Sequence, residues 1–202
     1  MYTVTIMSHY ILYVPGILDD VAHVQSTLVK LWRVHGVRGG THVMPWRGQQ
    51  DYEKSLKSLL SRIDRIRARG HQVSLVGASA GATAVLNAYF ERLGKIETVI
   101  LICPKIHNRD NISTKLVKRN PSFMDSLRLL EKQLPNLSMT DKSAIFSFVS
   151  PSDGLVPYAD SAIEGVEEST LPPLRHNAAI LYALSFGFVE ILPKLKRNAE
   201  TA

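Results

Sequence analysis

Short apolar runs rich in β-branched residues alternate with stretches of helical period along this chain of 202 residues. Parallel strands bury both faces and need covered crossovers. The alternation therefore predicts an α/β fold: a doubly wound, mostly parallel sheet of about five to six strands with helices on both faces. Residues 10–14 (Tyr-Ile-Leu-Tyr-Val) read as the first strand, closed by Pro15 and Gly16. From Asp19, the positions Val21, Val24, Leu28 and Leu31 recur at helical spacing, with a stop at Gly36. Residues 41–44 read as a second, short strand before Pro45. An amphipathic helix begins at Asp51 and carries Leu56, Leu59, Leu60, Ile63 and Ile66 on one face. Arg65, Arg67 and Arg69 near its end suit the helix dipole, and Gly70 can cap it. A strand over 72–76 leads into a helix over 80–93 that ends at Gly94. Strands over 98–103 and 144–149 are apolar enough to be central, and a closing helix over 178–192 stops at Pro193 before a basic tail.

The stretch 104–142 is too long for a plain connection and predicts a small helical insertion or cap, its clearest helix running from Pro121 to Leu134. No internal repeat, low-complexity tract or Pro/Ser-rich linker divides the chain, so residues 1–202 read as one domain.

Composition narrows the class. Hydrophobic residues make up 45% and charged residues 21%, which excludes a disordered or fibrous chain. The formal charge of +6 is uneven: between Lys105 and Lys142, eight Lys/Arg face four Asp/Glu. No RNP-like or helix-turn-helix signature accompanies these charges. They read as a solvated basic face; no nucleic acid is expected, and contact with a membrane surface is not favoured. The single cysteine, Cys103, excludes a disulfide framework and a Cys-rich zinc site, and reads as a small core residue. With no leader pattern at the N-terminus, the expectation is a cytoplasmic protein. The apolar stretch 178–192 is 15 residues long and contains Glu190, too short to span a bilayer comfortably; it reads as buried core, with a dimer contact or a lipid-facing surface as the alternative. Monomer and homodimer both remain open.

Chemistry enters at Gly77-Ala78-Ser79-Ala80-Gly81, which fits G-x-S-x-G between a strand and a helix. A turn this tight strains the serine backbone and tolerates only small flanking residues, while presenting the hydroxyl beside a helix N-terminus. A Rossmann reading fails for want of G-x-G-x-x-G, and a P-loop for want of Gly-Lys-Ser/Thr. A serine hydroxyl needs a base and an orienting acid. Two histidines follow it: His107, in the basic stretch after a strand, and His176, in the loop before the closing helix. The loop position favours His176. Asp153 lies in a turn-rich segment just past the strand ending at Val149. Asp160, Glu164, Glu167 and Glu168 have no such placement. An oxyanion hole would take one amide from Ala80 and a second from Ile17, where Gly16 lets the backbone come close.

Together, these residues resemble the α/β-hydrolase family, particularly its small, nearly capless esterases and lipases, over residues 10–192. The resemblance implies Ser79 as nucleophile, His176 as base, Asp153 as its partner, and Ile17 and Ala80 as oxyanion donors. Gly16, Gly77 and Gly81 would be the supporting turn residues. It implies acyl transfer on a small-molecule ester, or a thioester or amide, with no metal and no organic cofactor. Two departures stand out. Pro15-Gly16 replaces the family's frequent His-Gly, and Arg175-His176 its frequent Gly-His. Arg175 either reaches inward to meet an anionic group or faces water. The competing readings are a non-catalytic hydrolase-fold binding protein and a basic membrane or nucleic-acid binder.

Overall fold

The computed structural model describes residues 9–17, 22–48 and 50–197. Six strands form one wholly parallel sheet in the order β2-β1-β3-β4-β5-β6. They are β1 (His9–Val14), β2 (Arg38–Thr41), β3 (Gln72–Ala78), β4 (Val99–Ile102), β5 (Ile145–Val149) and β6 (Glu167–Thr170). Alternating strand residues feed two cores. Leu12, Val14, Leu75 and Leu101 face one helical layer, while Ile11, Tyr13, Val76 and Ile102 face the other.

The first layer contains α2 (Tyr52–Arg67), α3 (Gly81–Glu91) and α5 (Pro121–Gln133). Asp51 caps α2 by accepting the Glu53 amide at 2.9 Å, and Leu56, Leu59, Leu60, Ile63 and Ile66 are all buried. Buried polar groups stitch this layer together. The Ser126 hydroxyl donates to Thr83 Oγ1, and Asn87 Nδ2 donates to the Tyr52 hydroxyl at 2.8 Å. Within 104–142, α5 thus packs against α2 and α3, while the stretch before it carries the short helix α4 (Thr114–Arg119), which packs against α5. A second short helix, α6 (Met139–Lys142), leads into β5.

The second layer contains α1 (Ala22–Leu31), α7 (His176–Ser185) and α8 (Phe188–Arg197). Here the expected face of α1 is rotated. Val24 and Leu31 are exposed, whereas Gln25, Val29 and Trp32 are buried. Gln25 receives the buried Tyr13 hydroxyl at 2.8 Å, and Trp32 Nε1 donates to the Leu184 carbonyl at 2.8 Å. Two polar atoms with inward partners set the rotation. Asp19 and Val21 lie outside the described residues.

Two further expectations are corrected. The second strand is Arg38–Thr41 and not 41–44. Its glycines hid it from hydropathy, yet they are needed: a Cβ on Gly39 would stand 2.8 Å from Val29 Cγ1. The single closing helix is two helices, α7 and α8, bent by 61°. At the break, the Phe186 and Gly187 amides both reach the Tyr182 carbonyl at 2.8 Å, and a Cβ on Gly187 would meet Ala183 Cα at 2.7 Å. Pro193 lies inside α8, on its exposed side, and does not end it. No single described helix is long and apolar enough to cross a membrane.

Candidate active site

The strand order reverses between β1 and β3, so their carboxyl ends diverge and leave a crevice. Ser79 stands there, directly after β3, with φ at +52°. A non-glycine residue in that region carries strain, and its neighbours hold it in place. Its amide donates to the Ile102 carbonyl at 2.9 Å and its carbonyl accepts the Lys105 amide at 3.3 Å, which ties the turn to β4.

Three glycines make this turn fit. A Cβ on Gly16 would come within 2.9 Å of Ser79 Cβ, and one on Gly77 within 2.5 Å of Val85 Cγ2. One on Gly81 would enter the carbonyl oxygen of Val14. The loop after β1 and the turn after β3 are therefore in backbone contact. Ile17 and Ala80 both line the crevice, and neither amide donates to a backbone carbonyl of the described residues.

His176 begins α7 and lines the same crevice. Its Nδ1 lies 2.7 Å from Asp153 Oδ2, with both residues buried. Asp153 also accepts amides from Leu155 at 3.0 Å and Val156 at 2.7 Å, and its carbonyl accepts the His176 amide at 3.0 Å. Burial works to raise the Asp153 pKa, but the His176 contact and the two amides outweigh it and hold the carboxyl below its ordinary value. An ionised carboxylate only accepts, so Nδ1 carries the proton in this bond. Ser150 closes the loop pair by donating to the Leu174 carbonyl at 2.6 Å and accepting its amide at 3.1 Å.

Cys103 sits buried behind this pair with φ at +46°. Its Sγ, the Asp153 carboxylate and the His176 ring form the one cluster of metal-ligand type among the described residues. Its chemistry does not suit a cation. Burial and the Asp153 charge push the thiol pKa well up, and His176 Nδ1 and Asp153 Oδ2 already satisfy each other.

The crevice opens into a cavity of about 500 Å³. Its wall is mostly apolar, with Ile112, Leu116, Phe123, Leu155, Val156 and Ile180 facing inward. Polar groups that sequence reasoning did not assign also line it. Lys105, counted there only as part of a basic face, and Asp160, set aside as an acid, form a buried ion pair. Gln25 is the third. A polar residue on a helix face that packs inward was the available signal for it. His107 does not line the cavity; its Nε2 lies 2.8 Å from the Ala162 carbonyl. Arg175 is exposed, so the outward alternative holds for it.

No protein-family profile matches the chain, and no curated protein matches it by sequence at a significant level. Solved structures do. Est1E from Butyrivibrio proteoclasticus aligns with a TM-score of 0.64 at 13% identity, covering 93% of this chain and 89% of its own. A soluble variant of monoglyceride lipase from Saccharomyces cerevisiae gives 0.61 at 12%, covering 94% and 87%. A hydrolase of the alpha/beta superfamily from Oenococcus oeni PSU-1 gives 0.57 at 19%, with 93% of each chain covered. Likenesses at this identity establish the fold.

Proposed function

Because the chain has the α/β-hydrolase fold, we propose that it is a serine hydrolase that cleaves a small carboxylic ester through an acyl-enzyme on Ser79. The observation that carries this reading is the bond between His176 Nδ1 and Asp153 Oδ2, on a ring that shares a cavity with the strained Ser79.

In this reading, His176 Nε2 takes the Ser79 proton as Oγ attacks the ester carbonyl. Asp153 stabilises the imidazolium that forms and holds the ring in the needed tautomer. The amides of Ile17 and Ala80 receive the oxyanion, a contribution of about 3–4 kcal/mol for one such donor. The imidazolium then protonates the leaving alkoxide. Water, deprotonated by the same nitrogen, releases the acid and restores Ser79. The mostly apolar wall favours an apolar acyl or alcohol chain. The monoglyceride lipase among the structural neighbours is compatible with ester substrates.

A fluorophosphonate probe tests the reading on the wild-type protein and on Ser79→Ala. One adduct per chain, mapped to the peptide containing Ser79 and missing from the folded variant, is the expected result. Absence of any adduct on folded wild-type protein would overturn it and favour a hydrolase-fold binding protein.

A further inference from the structure

Gln25 is 3% exposed, yet it lines the cavity that holds Ser79 and His176. Its amide orientation is fixed from behind. The buried Tyr13 hydroxyl donates to it. Its acceptor is Gln25 Oε1, at 2.8 Å. With Oε1 engaged in this way, the amide nitrogen Nε2 is turned away from Tyr13, and it has no hydrogen-bond partner among the described residues. Its two N–H donors thus have no acceptor among the described residues, on a buried side chain that lines the cavity.

Extending the proposed ester hydrolysis, on which this step rests, we infer that Gln25 is a specificity-determining residue for esters carrying a second, hydrogen-bond-accepting oxygen. That oxygen belongs to a neutral ether, hydroxyl or carbonyl group in the acyl or the alcohol chain. A buried amide N–H facing a cavity needs an acceptor there. A purely aliphatic chain offers none, whereas an oxygen at the same place does. Sites built around a buried donor discriminate in this way against analogues that lack the acceptor. The surrounding apolar wall still binds the rest of the chain, so the preference acts on one position of the substrate and not on its overall polarity.

Three isosteric esters separate the sources of the oxygen: butyl butanoate, butyl methoxyacetate and methoxyethyl butanoate. The first has no added oxygen, the second has it in the acyl chain and the third in the alcohol. The measurement is kcat/KM of each on the wild type, Gln25→Met and the double variant Tyr13→Phe/Gln25→Met. The double variant removes the hydroxyl that a lone Gln25→Met would leave without an acceptor. Intrinsic ester reactivity cancels when each oxygenated-to-parent ratio is compared between proteins. The expected result is that one ratio falls about tenfold in both variants. Dissociation constants of the same esters on Ser79→Ala, with and without Gln25→Met, make the comparison without turnover. A wild type that hydrolyses all three with ratios unchanged by Gln25→Met overturns the inference and leaves ester hydrolysis standing. Unlabelled Ser79 and no hydrolysis overturn the hydrolase reading, and binding alone then decides: equal effects of Gln25→Met on all three esters overturn the inference too.

Discussion

Lys105 and Asp160 form a buried ion pair in the wall of the crevice that holds Ser79, 55 positions apart in the chain. Lys105 Nζ also donates to the Asn108 carbonyl at 3.1 Å, and the Asp160 carbonyl accepts the amides of Ile106 and His107. The loop after β4 is thereby locked to the segment that follows Asp153. Removing one partner leaves an uncompensated buried charge, which costs more than the pair itself contributes. Lys105→Met should lower unfolding free energy by about 3–5 kcal/mol. Lys105→Met/Asp160→Leu should recover more than half of that loss. Urea unfolding of the three proteins measures both, and a single variant as stable as wild type would refute the assignment.

Asp153 supplies the pH dependence. Its folded pKa is depressed, so the unfolded chain binds the proton more readily. The resulting stability is present above the unfolded value of about 4 and is lost as pH falls through the lower folded value. Wild type and Asp153→Asn should therefore differ most in stability above about pH 5 and converge in acid. In the proposed mechanism, the amide also favours the wrong tautomer of His176, lowering kcat by about 10⁴. Parallel stability-versus-pH curves for the two proteins would show that the carboxylate is not held as described.

The chain itself discloses the sheet and the turn at Ser79 because both rest on local pattern. Residues 72–76 are apolar and stand directly before Gly77, so β3 and its turn are visible together. Asp153 and His176 follow strand and loop signals of the same kind, and they meet at 2.7 Å. What escaped detection depends on contacts distant in sequence. β2 is Arg-Gly-Gly-Thr, a strand because Val29 and Tyr10 leave no room for side chains there. β6 is Glu-Glu-Ser-Thr and pairs only through its backbone with β5. The rotation of α1 depends on a tyrosine hydroxyl from β1 and a carbonyl from α7, neither of which any window around residue 25 contains.

The glycines around Ser79 allow a sharper contrast. Gly36 also has positive φ, at +80°, but an added Cβ there meets nothing within 4 Å. Gly36→Ala should cost only the left-handed strain of an L-residue, roughly 1–2 kcal/mol. Gly81→Ala is a different case, since its methyl would enter the Val14 carbonyl oxygen and press on the Pro15 carbonyl at 2.8 Å. Neither is the end of a flexible side chain, so the loop carrying Gly16 and Ile17 must move away from the serine. Gly81→Ala should lose about 3 kcal/mol or more of stability. In the proposed mechanism, any folded fraction should react with the fluorophosphonate at least about tenfold more slowly, because a displaced Ile17 amide would no longer meet the oxyanion. Thermal denaturation and labelling rates compare the two variants directly. If Gly81→Ala were as mild as Gly36→Ala in both, the β1 loop would not be held against the turn by backbone contact.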